Sequence, residues 1–164
     1  MDFQKRSELL RQLNARESER LGLVAELLRT WQSGGVKLYV SAKALGLRRD
    51  HGALFLEGDY LPLEASGTLK EHVCAFARLH EGEWVVAIVP RLVAGLTAFG
   101  EFPVGQRVWG KTAISLPATA PAGWRNVLTG ERLETLRVAK GRALLLEDAF
   151  CSFPGALLTG SRRN

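Results

Sequence analysis

The sequence predicts a mainly-β fold, an antiparallel β-sandwich preceded by two α-helices. Three observations carry that expectation. Apolar residues recur at three, four and seven residues as far as Arg49, which keeps them on one face of a helix. After "DHG" at 50–52 the period becomes two, and eight short alternating segments follow, separated by turn residues. Two of the junctions, "LHEGEW" and "LTGERL", have glycine where a hairpin turn wants it. Residues 1–52 are therefore expected to form a helical segment and residues 53–164 the sandwich.

The first helix is expected from Ser7, a candidate cap, to Trp31, with Leu9, Leu10, Leu13, Leu21, Val24, Leu27, Leu28 and Trp31 along its stripe. "SGG" at 33–35 ends it, because glycine supplies the left-handed conformation that closes helices. A second helix follows from about Val36 to Arg49, with Val36, Tyr39, Val40 and Leu47 on one face. Two helices alone bury such stripes poorly, so Leu21, Val24, Leu28, Trp31, Val36 and Val40 are expected to face a further partner surface. The strand candidates are "GDYLPLEA" (58–65), "EHVCAFARLH" (71–80), "EWVVAIVPRLV" (83–93), "RVWGKTAISLP" (107–117), "WRNVLTG" (124–130), "TLRVA" (135–139), "RALLLED" (142–148) and "FPGALLT" (153–159). "TAFGEFPVGQ" and "PATAPAG" read as loops.

The 164 residues are 46% hydrophobic and 24% charged, the balance of an ordinary globular protein with no segment biased toward disorder. A net charge of +5 raises the question of nucleic acid. Divided at residue 52, the charge is +4 before and +1 after, so the β part is nearly neutral. The helical excess alternates with acids (Arg11, Arg16 and Arg20 among Glu8, Glu17 and Glu19), the pattern of a solvated helix face with intrahelical pairing. Neither a nucleic-acid motif nor aromatic interleaving accompanies it, so no nucleic-acid partner is expected. No leader pattern and no apolar run of about 18 residues stands in the sequence, so neither export nor a membrane span is expected, and the expected location is cytoplasmic. Cys74 and Cys151 read as buried thiols of a reducing compartment, with a disulfide between them as the alternative.

Chemistry-bearing residues are sparse. Glu57 and Asp59 flank a turn glycine, and Glu147 with Asp148 ends a strand; both pairs read as solvated turn carboxylates. His51, His72 and His80 have no ligand spacing with one another or with the cysteines, so no metal or cofactor is expected. No phosphate loop, nucleophile elbow or dinucleotide fingerprint occurs. Trp31 and Trp84 sit on apolar stripes and read as core. Trp109 and Trp124 border glycines and loops, where a flat ring serves either a core or domain interface or, as the alternative, a platform on which a sugar stacks.

Five segments in order carry a resemblance: "KLYVSAKALGLRRDHGALFLEGDYLPLE", "EHVCAFARLHEGEWVVAIVPRLV", "VWGKTAISLP", "WRNVLTGE" and "FPGALL". Together they resemble the C-terminal end of the maltooligosyl trehalose synthase family, in the α-amylase superfamily (glycoside hydrolase family 13). The resemblance implies that residues 7–49 are the last outer helices of a (β/α)8 barrel and residues 53–164 the sandwich that follows it. It implies an isomerase of trehalose biosynthesis, converting the reducing-end α-1,4 linkage of a maltooligosaccharide to α,α-1,1 through a carboxylate nucleophile and an acid. Those carboxylates belong at the ends of barrel strands, so the resemblance carries no catalytic residue onto this chain.

The expectation is thus a non-catalytic region, silent alone, that stabilises a catalytic barrel. Two alternatives stand beside it. The sandwich is a maltooligosaccharide-binding module working through Trp109 or Trp124, or the chain is a separate subunit completing a barrel in trans. An uncovered helical face would also promote self-association.

Overall fold

A computed structural model describes residues 3–161. Four helices come first: α1 (Phe3–Ala15), α2 (Arg20–Arg29), α3 (Gly35–Asp50) and α4 (Gly52–Leu56). The first expected helix is therefore two, interrupted by a 3-10 turn at Glu17–Glu19. The break has a clear effect on packing. It lets Leu13 on α1 and Leu23, Val24 and Leu27 on α2 enter one apolar cluster with Tyr39 of α3. The anticipated stop at "SGG" holds, with Gly34 left-handed at φ 77°.

Helix persists past Asp50 because "GALFL" makes one more turn: Leu54 is buried against Leu47 and Val85, while Leu56 on the other side is 79% exposed. The change of period thus takes effect at Glu57 and Gly58, not at Asp50–Gly52.

The strands are β1 (Asp59–Leu63), β2 (Ala65–Ser66), β3 (Val73–His80), β4 (Glu83–Pro90), β5 (Ala113–Leu116), β6 (Gly123–Asn126), β7 (Arg132–Glu134), β8 (Leu136–Val138), β9 (Gly141–Leu145) and β10 (Ala156–Ser161). They form a six-stranded sheet ordered β1-β3-β4-β10-β6-β7 and a four-stranded sheet ordered β2-β5-β9-β8, with every pair of named strands antiparallel. The antiparallel sandwich behind N-terminal helices is therefore present. Two further short helices lie among the strands, α5 (Gly105–Trp109) and α6 (Leu146–Ala149), the first occupying the start of a stretch expected to be all strand.

Both hairpins form. In "LHEGEW", His80 pairs with Glu83 and the two turn residues take φ 47° (Glu81) and 84° (Gly82), the doubly positive geometry that matches strand twist. In "LTGERL" the Gly130 amide donates to the Asn126 carbonyl at 2.7 Å, and the Asn126 side chain accepts from the Leu128 amide at 3.0 Å.

Between the sheets lies the main core, including Val86, Ile88, Trp84 and Leu158 from the larger sheet and Ile114, Leu116 and Leu144 from the smaller. A second cluster joins the helices to the sandwich, where Leu13, Leu23, Val24, Leu27 and Tyr39 meet Leu128, Phe153 and Leu157. The helices thus cover the outer face of the larger sheet on its β10–β6 side.

This covering takes up part of the stripe expected to face a further partner surface. Val24 is fully buried within the chain, and Leu28, Val36 and Val40 are partly buried against the same cluster. Only Leu21 and Trp31 of the six remain exposed, at 50% and 47%. The stripe finds its partner in the turn after β6 and the segment before β10, residues far away in sequence.

Candidate functional site

The residues proposed as sugar platforms have little face to offer. Trp109 is 1% exposed: α5 points it inward, its Nε1–H donates to the Pro103 carbonyl at 2.7 Å, and its ring meets Phe150 edge-on at 5.0 Å. Trp124 is 3% exposed and meets Trp84 edge-on at 6.5 Å. A stacking platform needs an open ring face, so for both residues the core reading holds and the platform reading is corrected.

The cysteine reading is corrected too. Cys74 and Cys151 are both exposed and both free. Cys74 takes an outward position because Val73, Ala75 and Ala77 take the inward ones; Cys151 is left outside as its neighbour Phe150 turns into the core.

Glu57 and Asp59 are exposed at the entry to β1, and Asp148 is exposed in α6 beside a half-buried Glu147. Adjacent residues of a helix do not face each other, so the last two cannot bracket one substrate atom. A retaining glycosyl transfer requires two carboxyls roughly 5 Å apart on either side of the sugar bond. His51 Nδ1 lies 3.1 Å from Glu83 Oε2, and His80, paired with Glu83 across the hairpin, lines the same shallow concavity; His72 stands apart, its Nδ1 3.0 Å from the Leu92 carbonyl. No cluster of three or more metal-ligating side chains occurs among the described residues.

A polar concavity, an open groove, runs beside the β6–β7 hairpin and includes His51, Glu83, Arg125, Arg132 and Glu134. Arg125 and Arg132 are directly opposite each other in the strand register. Like charges in that position repel, and solvent or ions relieve them. The groove lacks the apolar shelter that tunes a general acid.

The helical surface is knitted by charge pairs, some at the expected spacing of three (Arg11–Glu8, Arg20–Glu17) and others between separate elements (Arg16–Glu26, Lys43–Glu17). Arg11 meets Glu8 at 2.8 Å, Arg16 meets Glu26 at 2.8 Å, and Glu17 accepts from both Arg20 and Lys43. Burial, and then the charge of Arg20, hold the Lys43 ammonium below its ordinary range.

The tightest polar link between helices and sandwich is Tyr39, whose hydroxyl donates to the Leu128 carbonyl at 2.6 Å inside the second cluster. Burial pushes this phenol above its ordinary value of 10.0, with Arg20 opposing. Because the folded value is the higher one, the contribution of Tyr39 is complete below pH 10.0 and is lost as pH rises through the folded value. Tyr39→Phe strands the buried carbonyl and is expected to cost about 1–2 kcal/mol at neutral pH. It is also expected to flatten the loss of stability above pH 10, whereas Lys43, shifted the other way, remains in both proteins and cancels in the comparison. Urea unfolding of the two proteins at pH 8 and pH 11 measures both effects; equal stabilities at pH 8 would reject the link.

The fold so defined is a two-sheet antiparallel sandwich with a helical segment docked on one face and no assembled catalytic constellation among its described residues. It has relatives. Proteins of two strains of Mycobacterium tuberculosis, assigned as maltooligosyl trehalose synthases, are 36% identical to it over 94 residues, which is 57% of this chain and 10% of theirs. The solved structure of a mutant maltooligosyltrehalose synthase from Arthrobacter ramosus matches with a TM-score of 0.53 and 30% identity, over 83% of this chain and 16% of that one. The chain therefore spans about a tenth of the length of the curated relatives it matches. No family model matches it. Both comparisons support the resemblance read in the sequence, to a C-terminal region of that enzyme.

Proposed function

We propose that the chain serves as the non-catalytic C-terminal region of a maltooligosyl trehalose synthase, an α-amylase-type isomerase of family 13. Its substrates would be maltooligosaccharides, whose reducing-end α-1,4 linkage becomes α,α-1,1. In this reading residues 1–52 are the last outer helices of the catalytic barrel, residues 53–164 are its sandwich, and the whole works in the cytoplasm without a cofactor. The task of the region is to hold and stabilise the barrel. The observation that carries the reading is the similarity to a small fraction of much longer enzymes. The carboxylate placement agrees with it, since Glu57, Asp59, Glu147 and Asp148 stand at separate surface positions of strand entry and helix.

The isolated chain is expected to release no trehalose-capped product from maltopentaose. Product formed by the purified chain, at a rate above that of heat-denatured protein, would overturn the non-catalytic assignment.

A further inference from the structure

The helices leave the β1–β3 side of the larger sheet's outer face open, and that part has the composition of a covered surface. Beyond the helices, the outward positions of β1, β3 and β4 are Tyr60, Pro62, Cys74, Phe76, Ala87 and Val89. They are laterally adjacent: Pro62 pairs with Phe76, Phe76 with Ala87, and Cys74 with Val89, while the Tyr60 and Phe76 rings stack at 5.3 Å. These six are uncharged; the next outward position of β3, Arg78, stands directly opposite Tyr60 and turns its Nη2 to the Phe55 carbonyl of α4. Tyr60 is 57% exposed and Val89 is 53% exposed, and the exposed Leu56 of α4 stands at the entry to β1.

An antiparallel sheet that faces water alternates apolar with polar residues, whereas strands covered on both faces read as continuous apolar runs. "VCAF" and "VVAIV" are of the second kind. The patch is also the kind of contiguous apolar surface that marks a protein–protein contact.

The geometry points to this β1–β3–β4 face as a surface on which the larger remainder of the enzyme packs. The inference rests on the proposed function. Its occupant follows from length: the chain matches 16% of the solved relative, so most of such an enzyme lies outside it and has to meet it on a surface that the chain's own elements leave open. Much of the helical stripe is already covered by Leu128, Phe153 and Leu157, with Leu21 and Trp31 left exposed, and the β6–β7 groove is charged and open; the apolar sheet face is the surface suited to a close-packed contact.

The two free thiols make the test, since Cys74 is inside the face and Cys151 is outside it. Maleimide labelling, read by peptide mass spectrometry, is compared between the isolated chain and a full-length Arthrobacter ramosus enzyme in which this chain replaces the matching segment. In the isolated chain both thiols are expected to react. In the chimera Cys74 is expected to slow at least tenfold while Cys151 keeps its rate. Val89→Lys is expected to leave the melting temperature of the isolated chain unchanged and to lower the temperature at which the chimera inactivates.

A chimera active on maltopentaose in which Cys74 stays reactive overturns the inference and leaves the proposed function standing. An inactive chimera with Cys74 unprotected overturns both. Protection of Cys74 in the isolated chain as its concentration rises makes a second copy the occupant and overturns the assignment to the remainder of the enzyme.

Discussion

Trp109→Ala is expected to destabilise the chain by about 4 kcal/mol, the range for removing a fully buried aromatic side chain. Three losses combine at this site. The cavity forms between α5 and α6, Phe150 loses its edge contact at 5.0 Å, and the Pro103 carbonyl loses the indole donor at 2.7 Å. For a chain of this size the melting temperature should fall by roughly 8–16 °C. Trp109→Phe, which keeps most of the ring volume but not the donor, should fall between the two proteins. Thermal unfolding followed by circular dichroism measures the effect. A sugar-binding role predicts the opposite signature: calorimetric heat with maltoheptaose in the parent chain, lost in a Trp109→Ala protein of unchanged stability.

Gly58→Ala is expected to cost about 3 kcal/mol, the upper end for overpacking, because the obstacles are backbone atoms with nowhere to go. Gly58 lies where α4 hands the chain to β1. A Cβ there would press on the Leu54 carbonyl oxygen and stand 2.8 Å from that of Leu79 and 3.2 Å from the His80 Cβ. The close approach also serves Arg78, whose Nη2 reaches from β3 to donate to the Phe55 carbonyl at 2.9 Å at the end of α4. A wider junction would lengthen that bond and lift Leu54 from its place against Leu47 and Val85. Hydrogen exchange should therefore show α4 opening before the sheets in the variant. Equal melting temperatures for the two proteins would mean that the junction yields, and that α4 is not held by this contact.

Much of this architecture is legible in the residues. The stop at Gly34, the two hairpins and the strand periods from Asp59 onward follow from glycine conformations and alternation, which are local properties. The charge pairs of the helical face follow from spacing in the same way. The break at Glu17–Glu19 was less visible, because its cause is the need to bring Leu13 and Val24 into one cluster, and the stripe on either side keeps its helical spacing. "GALFL" is an unbroken apolar run too short to show a period, and it is helical where Leu54 packs against Leu47 and Val85.

Burial was the weakest inference, and for one reason. Trp31 on an apolar helical stripe and Cys74 within an apolar strand each have the local setting of a buried side chain, and both are exposed. Which side of a strand faces inward is decided by register, and whether a loop residue is covered is decided by which distant segment lies over it.

The sequence by itself determined the class of the fold, the order of its elements and, through five ordered segments, its kinship, because periodicity, turn chemistry and segment order are written along the chain. Only the tertiary structure decided which apolar face is satisfied and which is left open. The helical stripe is covered in large part by Leu128, Phe153 and Leu157, far from it in sequence, and a further open apolar face lies on β1, β3 and β4. Apolar area is buried by whatever surface the fold brings to it, and that pairing is a property of the folded chain as a whole.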